Sequence, residues 1–334
     1  MVHTIDVHSH WYPEWYLELL RERDEIPMIS GQDDARRFVI FPDEHDEDGR
    51  PMGSEYWDIG DKIVFMDQNE ISQTVVSLGN PWLDPFAAQG VELARRANRD
   101  FAALAERTAN RVVGMGVLPG DDVAQAAEVA QEISDTPGLY GIIVGPRICG
   151  RQLDDTTLAP LWAVLEDTRM PILLHPTRGL GHEDMAGFGH PFPVGMGFPF
   201  ETTVALARMI FAGVLQDFPG LRVVASHGGG TLPYLIGRLD AAWNSDPAAR
   251  QRLKVPPSKE AAKLHLDAIC YDRRVMQLAS ELVGQEQLHF GTDHPFSIAD
   301  PRRNLEAIRG TFGADGFGRI TRASQELFRL PSVD

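Results

Sequence analysis

A (β/α)8 barrel is the fold predicted for this 334-residue chain, and three observations predict it. Eight short runs rich in apolar and β-branched residues recur along the sequence, helical segments separate them, and histidine or aspartate ends four of them. Nearly continuous apolar strands joined by helices imply a parallel sheet covered on both faces, and eight such units imply closure. A doubly wound open sheet is the alternative, but no strand leads into Gly-x-Gly-x-x-Gly, and Gly228-Gly229-Gly230 lacks that spacing.

The first strand is the run from Ile5 to His10. Residues 11 to 60 break the rhythm with Pro13, Pro27, Pro42 and Pro51, so a small insertion or cap is expected at about 14 to 60 of a single domain spanning 1 to 334. Within it, the acidic run from Asp43 to Asp48 reads as a solvated loop. A helical segment through Ile63, Met66 and Ile71 then leads into a strand over 73 to 78, and an alanine-rich helix covers roughly 86 to 109. The strand 111 to 118 follows, with Asp121 or Asp122 placed to cap a helix ending near 134. Further strands are expected at 139 to 144, 171 to 175, 222 to 227, 264 to 269 and 287 to 291. Helices are expected at 157 to 168, 201 to 217, 231 to 245, 274 to 283, 302 to 309 and 318 to 329.

Composition narrows the function. The 43% hydrophobic content is ample for a large core, and the formal charge of −17 argues against nucleic acid or anionic lipid as partner. No apolar run approaches the roughly 20 residues that span a bilayer, and strand-like sequence begins within about four residues of the start, so no signal peptide is expected. The two cysteines, Cys149 and Cys270, form no disulfide framework in so long a chain, so a reducing, cytoplasmic setting is expected.

Alternation along a strand puts His8 and His10 on one face and Ser9 on the other. Taken alone, that pair reads either as metal ligands or as buried histidines with other partners. In a barrel of this type the active site lies at the C-terminal ends of the strands. His175 ends the fifth strand, His227 the sixth, and Phe290-Gly291-Thr292-Asp293 the eighth. Three imidazoles and one carboxylate suit a divalent ion, zinc first with manganese as the alternative, so His8, His10, His175 and Asp293 are the expected ligands, with a water completing the shell. His227 remains as a general acid or base acting with that water.

Asp6-x-His8-x-His10-x-x-Pro13, Leu174-His175-Pro176, Gly197-Phe-Pro-Phe-Glu-Thr-Thr203, Ser226-His-Gly-Gly-Gly-x-Leu-Pro-Tyr234 and Phe290-Gly-Thr-Asp-His-Pro-Phe296 together resemble the aminocarboxymuconate-semialdehyde decarboxylase branch of the amidohydrolase superfamily. The resemblance covers nearly the whole chain. It implies a distorted barrel, one catalytic divalent metal, and non-oxidative decarboxylation of a small unsaturated or aromatic carboxylic acid, with Asp293 and His227 in catalytic roles. The stretch at the end of the fourth strand, Gly141 to Arg147, lacks the lysine that bridges two metals in binuclear relatives. Relatives with Glu-x-His in the first motif act on phenolic acids, whereas His-x-His here points towards the semialdehyde-like subgroup. Lactone or cyclic-amide hydrolases and hydratases also use His-x-His, and hydrolysis is the alternative activity.

A substrate carboxylate needs arginine in a protein this acidic. The resemblance assigns that role to Arg50 and Arg238, the latter acting across a homodimer interface. Arg147 and Arg178 are weaker candidates. Trp82 and Phe198 are candidate walls for a flat substrate, and loop hydrogen bonding is the expected role of His182, His190 and His294.

Overall fold

A computed structural model describes residues 3 to 32, 35 to 41 and 49 to 333. The acidic run 43 to 48 lies outside the described residues. Eight strands form one sheet: β1 (Ile5–His10), β2 (Gln73–Ser77), β3 (Val112–Val117), β4 (Leu139–Val144), β5 (Pro171–Leu174), β6 (Arg222–Ala225), β7 (His265–Asp267) and β8 (Leu288–His289). Neighbours pair in parallel in that order. The circle closes where the amide of Val7 donates to the carbonyl of Phe290 at 2.9 Å and Ser9 bridges His294. The predicted barrel is therefore the observed one.

Burial explains the strand composition. Every residue of β1, β2, β3, β5 and β8 is buried, because helices cover the outside and packed side chains fill the inside. Helices pack tightly on β3, where a Cβ on Gly116 would lie 2.5 Å from Ile133. Asp122, not Asp121, caps the helix Val123–Ser134 by accepting the amide of Gln125.

Several boundaries differ from expectation. The segment expected at 201 to 217 starts earlier, as Phe198–Phe211, and Gly213, with φ of 71°, separates it from Val214–Asp217. A left-handed residue ends a helix because it turns the next amide off the axis. The two expected C-terminal helices form a run, Pro301–Phe328, that breaks at Gly313. β8 is shorter than expected because beyond His289 the chain bonds irregularly to β1: the amides of Thr292 and Asp293 both donate to the carbonyl of His8. Ile71 lies beyond the helix Ile59–Gln68, and the helices Glu14–Arg21, Pro247–Arg252 and Pro257–Ala261 have no counterpart in the sequence reading.

The proline-rich segment after β1 is itself folded. Met28–Ser30, Arg37–Val39 and Arg50–Pro51 form a three-stranded antiparallel sheet. Its last strand delivers Arg50, buried to 6% exposure. Among the described residues no helix is long and apolar enough to cross a membrane.

Candidate active site

The strand ends converge. One ligand atom each from His8, His10, His175 and Asp293 lies within 4.8 Å of all the others, and all four residues are buried. Nε2 of His10 stands 3.1 Å from Nε2 of His8 and 3.1 Å from Oδ1 of Asp293. Nε2 of His8 is 3.3 Å from that oxygen, and Nε2 of His175 is 3.9 Å from it.

The opposite ring nitrogens explain why Nε2 faces inward. Nδ1 of His8 meets Oδ2 of Asp267 at 2.6 Å, Nδ1 of His175 meets the carbonyl of Pro176 at 2.8 Å, and Nδ1 of His10 meets Oγ of Ser77 at 3.1 Å. Carboxylate and carbonyl oxygens only accept, so they hold a proton on Nδ1 of His8 and His175 and leave Nε2 as the atom available to a metal. Nε2 of His175 is buried with no hydrogen-bond partner among the described residues. Lone pairs gathered this closely repel one another unless a cation lies among them, and this donor set fits a divalent ion.

Electrostatics agree in direction. Burial opposes ionisation of Asp293, yet the surrounding imidazoles of His10, His175, His227 and His8 outweigh it and hold the carboxyl well below its usual range. Burial dominates for His10, which is held well below the usual imidazole value, and for His175, pushed down to about 4, so both are neutral donors at pH 7. Burial also disfavours the His8 cation, but hydrogen bonds to Asp267 and Asp293 prevail and push it up to about 10. A nearby divalent charge opposes that proton, so binding at this site is coupled to its release.

His227 stands on the same rim, its Nε2 3.4 Å from Oδ2 of Asp293 and its Nδ1 buried without a partner. Both His227, with φ of 53°, and Asp293, with φ of 60°, occupy the left-handed region. Side-chain-bearing residues sit there at a cost of about 1 kcal/mol or more and only when their surroundings hold them. For His227 the holder is Asp267, whose oxygens accept the amides of His227 at 2.9 Å and Gly228 at 3.0 Å. The glycines behind it have no substitute: a Cβ on Gly230, with φ of 64°, would lie 2.2 Å from the carbonyl oxygen of Pro199.

A cavity of about 230 Å³ opens beside these groups, lined in part by Arg50, Asn80, His175, Phe198, Asp293 and Phe296. Its size is below the roughly 300–1,000 Å³ of drug-sized sites and suits a small planar molecule. Arg50 pairs with no carboxylate among the described residues, and its buried Nε has no partner. Its guanidinium lies 4.6 Å from the centre of the Phe296 ring.

Of the sequence-predicted substrate contacts, Arg50 and Phe198 line this cavity. Trp82 does not; it is buried with its ring 6.1 Å from that of His175 and its Nε1 donating to the carbonyl of Leu78. Arg238 is exposed on the helix Leu232–Ser245 and does not line the cavity. Arg178 lines a separate cleft with Arg23 and Asp84, and Arg147 is exposed, donating to the carbonyl of Gly150. His190, expected to serve its loop, lines the cavity, as does Asn80, whose buried Oδ1 has no partner among the described residues. Sequence reasoning missed Asn80, Asp267 and Phe296. An aspartate at a strand end, set between the apolar residues Leu266 and Ala268, was the available signal for Asp267.

Residues 5–312 match the amidohydrolase family. The chain is 28% identical over 267 residues to a Dictyostelium discoideum 2-amino-3-carboxymuconate-6-semialdehyde decarboxylase, covering 78% of this chain and 73% of that one. The crystal structure of Metarhizium anisopliae IDCase in apo form superimposes with a TM-score of 0.91 at 29% identity, covering 98% of this chain and 97% of that one. At 21% identity, a Polaromonas sp. JS666 dihydroxybenzoic acid decarboxylase with bound manganese and 2-nitroresorcinol shares the fold, with a TM-score of 0.80 over 100% of this chain and 98% of that one.

Proposed function

Because this chain belongs to the amidohydrolase family, we propose that it is a metal-dependent, non-oxidative decarboxylase of a small unsaturated or aromatic carboxylic acid. The observation that carries the reading is Arg50: a buried guanidinium without a carboxylate partner among the described residues, on the wall of the cavity that Asp293 and His175 also line. A buried cation that no carboxylate among the described residues offsets is costly, and a substrate carboxylate relieves that cost. Phe198 and Phe296 offer the flat apolar walls that a conjugated ring requires.

The geometry supports a role for each residue. His8, His10, His175 and Asp293 would hold the metal, zinc or manganese. When bound, the ion supplies Lewis acidity that polarises an oxygen donor. Arg50 orients a carboxylate so that the breaking carbon–carbon bond is aligned. As that bond breaks, carbon dioxide leaves and the electron pair stays on the substrate carbon, where His227 moves the proton that quenches it. Asp293, whose second oxygen faces His227, orients that imidazole.

The insertion at about 14 to 60 then acts as a cap that contributes Arg50 to the site. Exposed Arg238 is available to a second copy, which supports a homodimer, and the two free cysteines support a cytoplasmic setting. The test is a screen of aromatic and unsaturated acids in oxygen-18 water with the zinc and manganese forms. Carbon dioxide release is expected. Solvent label in a ring-opened product without carbon dioxide would establish hydrolysis instead.

A further inference from the structure

Lys62 is fully buried on the helix Ile59–Gln68, yet no motif in the chain includes it. Its amine donates to Oγ of Ser9 at 2.8 Å and to the carbonyl of His10 at 2.9 Å, and it meets Nδ1 of His294 at 2.6 Å. Ser9 alternates away from His8 and His10 along β1, so Lys62 grips the strand from the side opposite the ligand atoms. The carbonyl of His294 is a second point of convergence. It accepts the amide of His10 at 2.7 Å, Oγ of Ser9 at 3.0 Å and, more distantly, the Lys62 amine at 3.4 Å. Phe65, one turn along the same helix, stacks on the His294 ring with centroids 3.7 Å apart. One helix therefore fastens the backbone of His10 to the residue that follows Asp293.

We infer that Lys62 is a positioning residue for the metal centre, setting the spacing between His10 and Asp293 through Ser9, the His10 carbonyl and His294. This rests on the metal-site reading above, not on decarboxylation. Packing alone does not call for an amine here, since an apolar side chain of similar volume would fill the same space. What an apolar side chain cannot do is donate three hydrogen bonds to two chain segments 285 positions apart, at Ser9 and at His294.

The test uses the full chain stripped of metal and titrated with zinc against a chromophoric chelator, with cobalt as a spectroscopic probe. Lys62→Met is expected to weaken zinc binding roughly 10- to 100-fold, the range seen when groups supporting metal ligands are lost. It is also expected to shift the visible absorption of the cobalt form. Ser9→Ala, which removes one of the three contacts, should produce a smaller loss in the same direction. Met66→Ala, a buried position on the same helix, should lower thermal stability while leaving zinc affinity and the cobalt band unchanged. The inference is overturned if Lys62→Met binds zinc like the parent with an unshifted band, or, should that variant not fold, if Ser9→Ala does so. Failure of the parent itself to bind either ion overturns the metal reading and this inference with it.

Discussion

Oδ2 of Asp267 serves two elements at once: it lies 2.6 Å from Nδ1 of His8 and accepts the backbone amide of His227 at 2.9 Å. One carboxylate at the end of β7 thus orients a proposed metal ligand on β1 and the proposed proton carrier after β6. Asp267→Asn keeps the shape but offers one oxygen where two accepted. Metal affinity is expected to fall roughly 10- to 100-fold, and turnover at saturating metal is expected to fall as well. Chelator competition and steady-state kinetics check the two effects separately; an unchanged metal affinity would remove Asp267 from the site.

Arg50→Met should raise KM for the acid substrate by roughly 10- to 150-fold, equivalent to about 1.5–3 kcal/mol for hydrogen bonds to a charged group. Thermal stability of the free protein should hold or rise, because the substitution removes a buried cation with no carboxylate partner among the described residues. Melting curves with and without substrate distinguish this from a structural role, in which stability drops and KM does not move.

His227→Gln is expected to lower kcat by roughly 10²- to 10⁴-fold, the usual contribution of a positioned proton carrier. Metal content should stay at the parent level, since His227 is not among the four converging ligands. Near-native turnover with full metal occupancy would assign the proton transfer elsewhere.

Metal removal should lower the melting temperature as well as abolish turnover. The four ligands come from the ends of β1, β5 and β8, so an ion there ties together segments distant in the chain, and only the folded state presents all four. Linkage gives about 2.7 kcal/mol of stabilisation at a free metal concentration 100 times Kd. Scanning calorimetry across a zinc titration is the measurement, and a melting temperature independent of zinc would contradict the assignment.

His265 and His289 form a second histidine pair, away from the metal ligands. Nδ1 of His265 meets Nε2 of His289 at 2.9 Å, and Nδ1 of His289 meets Oγ of Ser324 at 2.8 Å. Burial, with Arg222 adding repulsion, pushes His265 down to about 4, and burial holds His289 well below the usual range. The folded pKa is therefore depressed relative to the unfolded value of about 6.5. Between those values the unfolded chain binds more protons, so stability falls as pH drops from about 6.5 to about 4, by on the order of 3 kcal/mol for His265. His265→Gln should lose less stability between pH 7 and pH 5 than the parent in urea unfolding. Equal losses would mean that this pair does not sense acid.

Much of this site was legible in the sequence because its signals are local. Apolar strands alternating with helices predict the barrel, and the two-residue repeat of a strand sets which way His8 and His10 point before any partner is known. Polar residues ending apolar runs, His175, His227 and Asp293, inherit their position on the rim from chain direction alone. Local pattern says nothing, however, about partners that barrel closure brings together. Asp267 lies 259 positions from His8, and Lys62 lies 232 from His294. Neither carries a periodicity that announces its role, and each acquires one only when β7 and β8 pack beside β6 and β1. Arg50 is the intermediate case: the need for a cation was readable from the acidic composition, but only the small antiparallel sheet after β1 decided that this arginine turns into the cavity. The strands and the directions of the ligands were thus set by residues adjacent in the chain. The hydrogen bonds that hold those ligands in place were decided by contacts that exist only once the sheet has closed.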